Sequence, residues 1–191
     1  MQNKTLFYIL LLMIVAFLVF DFFTIFNRKS KFDISYYQTI VETDYSTTAT
    51  ITTIAGLSFK EKKDMEDYKI SYTRNSSATF IEYFKRISQE IGKNLVVENY
   101  TNSATERAGL LEIKEIAVIN NLVEHNNDEY VLSMGKIQIN PNSNSSFIVY
   151  IPKEAVLLSA DPTPTNIVGN KIYWSGNILK YFPTITYGGK K

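Results

Sequence analysis

One stretch constrains this chain more than any other: the apolar run of residues 6–26, LFYILLLMIVAFLVFDFFTIF. It opens at Leu6 and is unbroken to Phe20; only Asp21 and Thr24 interrupt it before it closes at Phe26. At about 1.5 Å per residue a helix of this length covers about 30 Å, the thickness of a hydrocarbon core, and a single helix there satisfies its own backbone. No polar face exists at any period, which argues against a helix buried in a globular core. A cleaved secretory leader is the second rival, but the exit DFFTIFNRKS has no small-x-small cleavage site. We read an uncleaved signal anchor. Residues 1–31 then comprise a short tail, a transmembrane helix in the lipid bilayer and a basic juxtamembrane segment.

Which side of the membrane the rest occupies follows from two opposed signals. Lys4 precedes the run, and Arg28, Lys29 and Lys31 follow it. Counting basic residues alone favours a cytoplasmic domain. A short tail before a long apolar run at the N-terminus is the layout of an export signal, and the expectation is a single-pass protein of the cell membrane with an extracytoplasmic domain. Asp21 has two readings: it sits near the interface and reaches headgroups or water, or it pairs with another helix in the membrane. Arg28, Lys29 and Lys31 would rest against anionic headgroups. A type IV pilin shares the outline of helix plus β-rich domain, but its processing site, a Gly before Phe or Met with a Glu five residues into the run, is absent.

From Phe32 onward the chain carries 16 basic and 18 acidic side chains, so no basic surface recommends it to nucleic acid. No cysteine excludes disulfides, thiol chemistry and a lipid-modified N-terminal cysteine. Residues 32–187 form one β-rich globular domain long enough for a real core, with 188–191 a frayed tail.

Aromatic and β-branched runs at residues 32–41 and 45–54 read as strands. The charge run KEKKDMED, residues 60–67, reads as a solvated turn or short helix, because its acidic spacing does not fit a twelve-residue calcium loop. Residues 68–73 (YKISYT) alternate with Tyr68, Ile70 and Tyr72 on one face and read as a strand. The clearest helix follows over residues 77–91. Thr79 and Glu82 match a capping box, Phe80, Phe84, Ile87 and Ile91 form one apolar stripe, and Gly92 ends it. That stripe is the candidate core face, or the wall of an apolar ligand site. It is expected to meet Ile70, Tyr72, Val97, Ile113, Val118, Leu132 and Ile137. Residues 95–100 read as a strand, 101–107 as a polar turn, and 110–119 as a strand bulged at Lys114-Glu115. A polar connection containing His125 leads to a strand over 129–139 kinked at Gly135. Later strands are expected at 147–151, 156–159, and either side of Gly169-Asn170, a hairpin signal. The last, over 179–187, is assigned to a sheet edge by Pro183. The fold class is α+β: a mainly antiparallel sheet with one amphipathic helix packed on it.

Chemistry is sparse. His125 is the single histidine, in HNND, and any Ser-His-Asp mechanism would depend on it. One His without Cys does not make a zinc or copper site. No cofactor is implied. Trp174, the single tryptophan, either plugs the end of the core or, if exposed, touches a sugar or membrane. The reading is a non-enzymatic domain that binds or scaffolds an envelope protein partner; the alternative is a carrier or sensor of a lipid or other apolar ligand.

The stretch IPKEAVLLSADPTPTNIVGNKIYWSG has a strand ending in Pro, a short strand, a Pro-rich loop, a hairpin and a Trp strand. This order resembles exported, membrane-anchored domains of unknown function from thermotogal bacteria. It is more loosely similar to LppM-type lipoproteins, which share a β-α-β core with a later hairpin. The likeness covers residues 32–187 by order of elements and 152–176 by residues. It implies an envelope location and lipid binding. The lipoprotein cysteine is absent here, and no site residue is carried over.

Overall fold

The structure, a computed structural model, describes residues 31–137 and 143–189. The expected membrane segment, with Leu6, Phe20, Asp21, Phe26, Arg28 and Lys29, lies outside them. Among the described residues no helix is long and apolar enough to cross a membrane.

The first two strands, β1 (Phe32–Thr43) and β2 (Ala49–Phe59), form a long antiparallel hairpin. A 30-residue helix, α1 (Lys62–Ile91), then runs back along the sheet, and β3 (Val96–Arg107) and β4 (Leu110–Asn120) follow. Next come β5 (Val123–Asn126), β6 (Glu129–Leu132), β7 (Ser145–Tyr150), β8 (Val156–Asp161), β9 (Asn166–Val168), β10 (Lys171–Ser175) and β11 (Thr184–Gly188). They make two sheets instead of the one expected. The larger has seven strands in the order β3-β4-β2-β1-β7-β10-β9, and the smaller has four, β5-β6-β11-β8. All pairings are antiparallel except β1 with β7.

The helix begins some fifteen residues earlier than the sequence reading placed it, and residues 68–73 are helical, not a strand. In that short window an alternating pattern and a helical one share Tyr68 and Tyr72, four apart. Ile70, which distinguishes them, is 60% exposed, as the outer face of a helix requires. Met65, Tyr72, Phe80, Tyr83, Phe84 and Ile87 are all buried, and spacings of seven, eight, three and four place them on one stripe of the helix. Thr79 and Glu82 therefore lie in the helix interior and cap nothing. Gly92 closes the helix at φ 68°, and its N–H bonds Ser88 O.

Four further expectations change. Residues 101–107 continue β3, and the turn falls at Ala108-Gly109. β4 has no bulge at Lys114-Glu115: its register runs unbroken against β2, and against β3 it breaks only at Val97/Asn99, far from that pair; the other irregularities fall at Ile34/Tyr36 and Thr186/Tyr187. The strand expected over 129–139 stops at Leu132, residues 133–137 are not strand, and 138–139 lie outside the described residues. Pro183 does not mark an edge, because it precedes β11, which lies between β6 and β8.

Two apolar clusters result. One gathers the first half of α1 with Phe32, Leu57 and Leu111 at the end of the sheet where β1 begins. The larger gathers Phe80, Tyr83, Phe84 and Ile87 with Val41, Ile119, Leu132, Val149, Trp174, Ile185 and Tyr187. The four-stranded sheet thus belongs to the opposite end, about 40 Å along β1 at about 3.3 Å per residue.

Candidate functional site

At that far end four separated pieces of chain line a cleft of about 780 Å³: Tyr45, residues 125–130, Leu158, and Gly188 with Gly189. The first two are held by identifiable devices. Tyr45 rides on the β1–β2 turn, where Ser46 N–H bonds Asp44 Oδ1 (2.8 Å) and Thr48 N–H bonds Ser46 Oγ (3.1 Å). The Tyr187 hydroxyl donates to the Asp44 carbonyl at 2.7 Å and ties this turn to the second sheet. Asn127, at φ 56°, starts the tight β5–β6 turn; Asn tolerates that left-handed conformation better than most residues. Lys93, just past α1, pairs with Glu124 (2.6 Å) and donates to Ser133 O (2.9 Å), which fixes the edge strand carrying His125.

The rings of the cleft form a cross-strand ladder. Tyr187 pairs with Tyr130, and Tyr130 with His125, in the register of β11, β6 and β5. Their planes are nearly parallel, with centroids 5.4 Å apart for Tyr187–Tyr130 and 4.4 Å for Tyr130–His125. Tyr45 meets Tyr130 at 61° and 5.4 Å, and remains 44% exposed. Tyr187 is fully buried; burial first, and then the charge of Asp44, push its phenol up to about 12. Asp128 and Glu129 add two carboxylates and Asn126 and Asn127 two amides; no Lys or Arg appears among the described lining residues. Among the described residues no group of three or more His, Asp or Glu is placed to hold a metal ion. The arrangement offers aromatic surface, hydrogen-bonding amides and negative charge, the composition of a recognition site.

A second polar feature is internal. Thr39, Thr53, Glu115 and Asn102 are successive cross-strand partners on β1, β2, β4 and β3. They form one polar row on the face covered by α1, and the first three are buried. Tyr72 of α1 and Tyr100 of β3 donate to Glu115 Oε1 at 2.6 and 2.7 Å, and Asn102 Nδ2 donates to Ser76 Oγ at 2.8 Å. Burial and the neighbouring Glu115 raise the phenols of Tyr68, Tyr72 and Tyr100. This row separates the two apolar clusters and docks the helix on the sheet by polar contacts.

The residues expected to bear on function are dispersed. Lys31 is the one described member of the basic trio, and it pairs with Asp64 of α1. Phe80 and Phe84 stack at 4.7 Å, Phe80 stacks on Tyr100 at 4.3 Å, Ile87 is buried beside them, and Ile91 packs on the same cluster. Trp174 is buried, with Nε1 donating to Pro162 O at 3.0 Å and its ring against Phe147. None of these lines the cleft. His125 does, on an edge strand instead of in a loop. The sequence reading missed Tyr45, Tyr130 and the Asp128-Glu129 pair. The available signal was an aromatic at matching positions of three short strands, which becomes visible only once the register is known.

A domain of unknown function, DUF4897, matches residues 32–188. No curated protein matches the chain. Among solved structures, the folded domain of the LppM protein of Mycobacterium tuberculosis aligns with TM-score 0.46 at 10% identity, covering 86% of this chain and 94% of that one. An M1 zinc metallopeptidase of Deinococcus radiodurans aligns with TM-score 0.34 at 9% identity, covering 83% of this chain and 42% of its own.

Proposed function

The chain belongs to the DUF4897 family, and we propose that it is a single-pass, membrane-anchored envelope protein whose extracytoplasmic domain works by binding, not catalysis. The observation that carries this is the position of the cleft. The chain enters the domain at Phe32, with five residues between it and Phe26, where the apolar run closes. The cleft opens at the other end of the same strand, around Tyr45 and the β5–β6 turn. An anchored domain of this shape holds its recognition surface about 40 Å from the point of tethering. Aromatic rings, amides and carboxylates in an open cleft suit recognition.

The alternative place for a ligand, between α1 and the sheet, is occupied by the chain's own groups. Phe80, Tyr83, Phe84 and Ile87 fill one half and the Glu115 row crosses it. The reading therefore puts binding at the cleft and gives the α1 stripe a packing role.

The test is photocrosslinking in cells from the full chain, with the probe at Tyr45 or, as control, at Thr52 on the opposite face of the sheet. Carbonate extraction and a topology reporter after Lys191 accompany it. Retention in the membrane, an extracytoplasmic reporter and an adduct from position 45 but not 52 are expected. Release by carbonate, a cytoplasmic reporter, or equal adducts from both positions would overturn it.

A further inference from the structure

We infer that the cleft takes a cationic group, an ammonium or guanidinium, on a small polyamine or a basic peptide segment; this rests on the binding reading above. The lining of the cleft decides the sign of the charge. Asp128 in the β5–β6 turn and Glu129 at the start of β6 both line the cleft, Asp44 adjoins Tyr45 in the sequence, and no described lining residue carries a fixed positive charge. A phosphate or carboxylate ligand would meet like charge on entry.

The rings decide the kind of cation. Both faces of Tyr130 are engaged by its ladder neighbours, His125 and Tyr187. The π surface left open belongs to Tyr45 and to the outermost ring, His125, which is exposed on the edge strand. Exposed rings beside carboxylates attract organic cations through the ring quadrupole, whereas a small hydrated metal ion would prefer oxygen ligands alone. Asn126 and Asn127 can accept the remaining N–H groups of an ammonium or guanidinium. The volume, about 780 Å³, is large enough for a chain several bonds long.

Gly189 supplies a clean steric probe: a Cβ built there meets nothing within 4 Å, so Gly189→Trp places a bulky ring by the lining without backbone conflict. The experiment is calorimetric titration of the full chain in nanodiscs of zwitterionic lipid, at low and high salt. The probes are spermidine, a trilysine peptide and, as neutral comparison, a trisaccharide of N-acetylglucosamine. At least one cationic probe should bind, more weakly at high salt. Asp128→Asn with Glu129→Gln should weaken it about tenfold, and Gly189→Trp should abolish it. Spermidine binding without the peptide identifies a free polyamine, and the reverse identifies a protein segment. If the trisaccharide binds, is lost in Gly189→Trp and ignores the carboxylate variants, the cation assignment falls while the cleft stands. If cationic binding survives Gly189→Trp, the cleft itself is refuted as the site. Failure of every cationic probe at millimolar concentration overturns the inference.

Discussion

Replacing Glu115 by Leu tests what the buried polar row does. Glu115 is 5% exposed and accepts from Tyr72 at 2.6 Å and Tyr100 at 2.7 Å. Glu115→Leu removes the burial of a carboxyl group, which is costly in itself, but also removes the acceptor that the Tyr72 and Tyr100 hydroxyls share. A stranded buried donor costs about 1–3 kcal/mol, so the single substitution should destabilise by about 3 kcal/mol. For a domain of this size 1 kcal/mol moves the midpoint by about 2–4 °C, which gives a fall of about 6–12 °C. Adding Tyr72→Phe and Tyr100→Phe removes both hydroxyls that had donated to the carboxylate and leaves Thr39, Thr53 and Asn102 as the polar members of the row. The triple variant should therefore recover to within about 1–2 kcal/mol of the parent, because replacing a whole buried polar group is milder than breaking it. The assay is thermal unfolding of the full chain in nonionic detergent, followed by far-UV circular dichroism and by Trp174 emission, a core reporter at 1% exposure. A triple variant that falls below Glu115→Leu by the sum of two further losses would refute the argument. The phenols would then stabilise through packing partners other than the carboxyl.

Three other outcomes can be measured on the same preparation. High pH should unfold the domain cooperatively. Burial raises the phenols of Tyr37 and Tyr187 to about 12 and lifts those of Tyr68, Tyr72, Tyr83 and Tyr100 as well, from the ordinary 10.0. Their stabilisation is complete below pH 10 and is lost as pH rises toward the folded values, at up to about 1.4 kcal/mol per unit for each buried phenol. Phenolate absorbance should jump together with loss of the dichroism, and a smooth titration of all 13 tyrosines in a folded chain would contradict this. Ala108→Asn should raise the midpoint by about 2–4 °C, because Ala108 holds φ 49° before Gly109 in the two-residue β3–β4 turn, where Asn-Gly is favoured; no change would show that the turn relaxes freely. Gly56→Ala should destabilise by about 1–2 kcal/mol, because its Cβ would come within 2.2 Å of the Tyr36 ring and dislodge that hydroxyl from Glu112. Tyr36→Ala in the same chain should remove the added penalty, and strict additivity of the two would argue against it.

How much of this was legible in the sequence depended on which residues broke the ambiguity between periods. Phe80, Phe84, Ile87 and Ile91 span three turns, and only a helix places them together. Over residues 68–73 the two periods agree at Tyr68 and Tyr72, and only exposure of Ile70 settles the matter. Glu115 misled for the opposite reason. The alternation of β4 runs through it without a slip, with Leu111, Ile113, Ala117 and Ile119 on the same buried face. A carboxylate on that face looked like a bulge because burial of a charge was not expected. The cleft was less accessible still. Tyr45, His125, Tyr130, Leu158 and Gly189 lie far apart in the chain, and no local spacing relates them.

The two polar features are connected through the way the domain closes. The larger apolar cluster spans the helix, the seven-stranded sheet and the four-stranded sheet, and Ile185 and Tyr187 of β11 are both fully buried in it. β11 is also the central strand between β6 and β8, and the donor of the Tyr187–Asp44 bond. Until it pairs, β6 has only β5 and β8 has no partner in its sheet, and the turn carrying Tyr45 meets the β5–β6 hairpin through Val123 N–H on Thr47 O (3.1 Å) and the end of β4 through Thr47 Oγ1 on Asn120 (2.9 Å). The cleft therefore exists only in the completed fold, as does the ladder that stacks His125 on Tyr130. A recognition surface assembled this way has its ring positions set by sheet register, which a core substitution shifts only by disturbing the register itself. That rigidity suits a site that must hold one geometry at the end of a tethered domain.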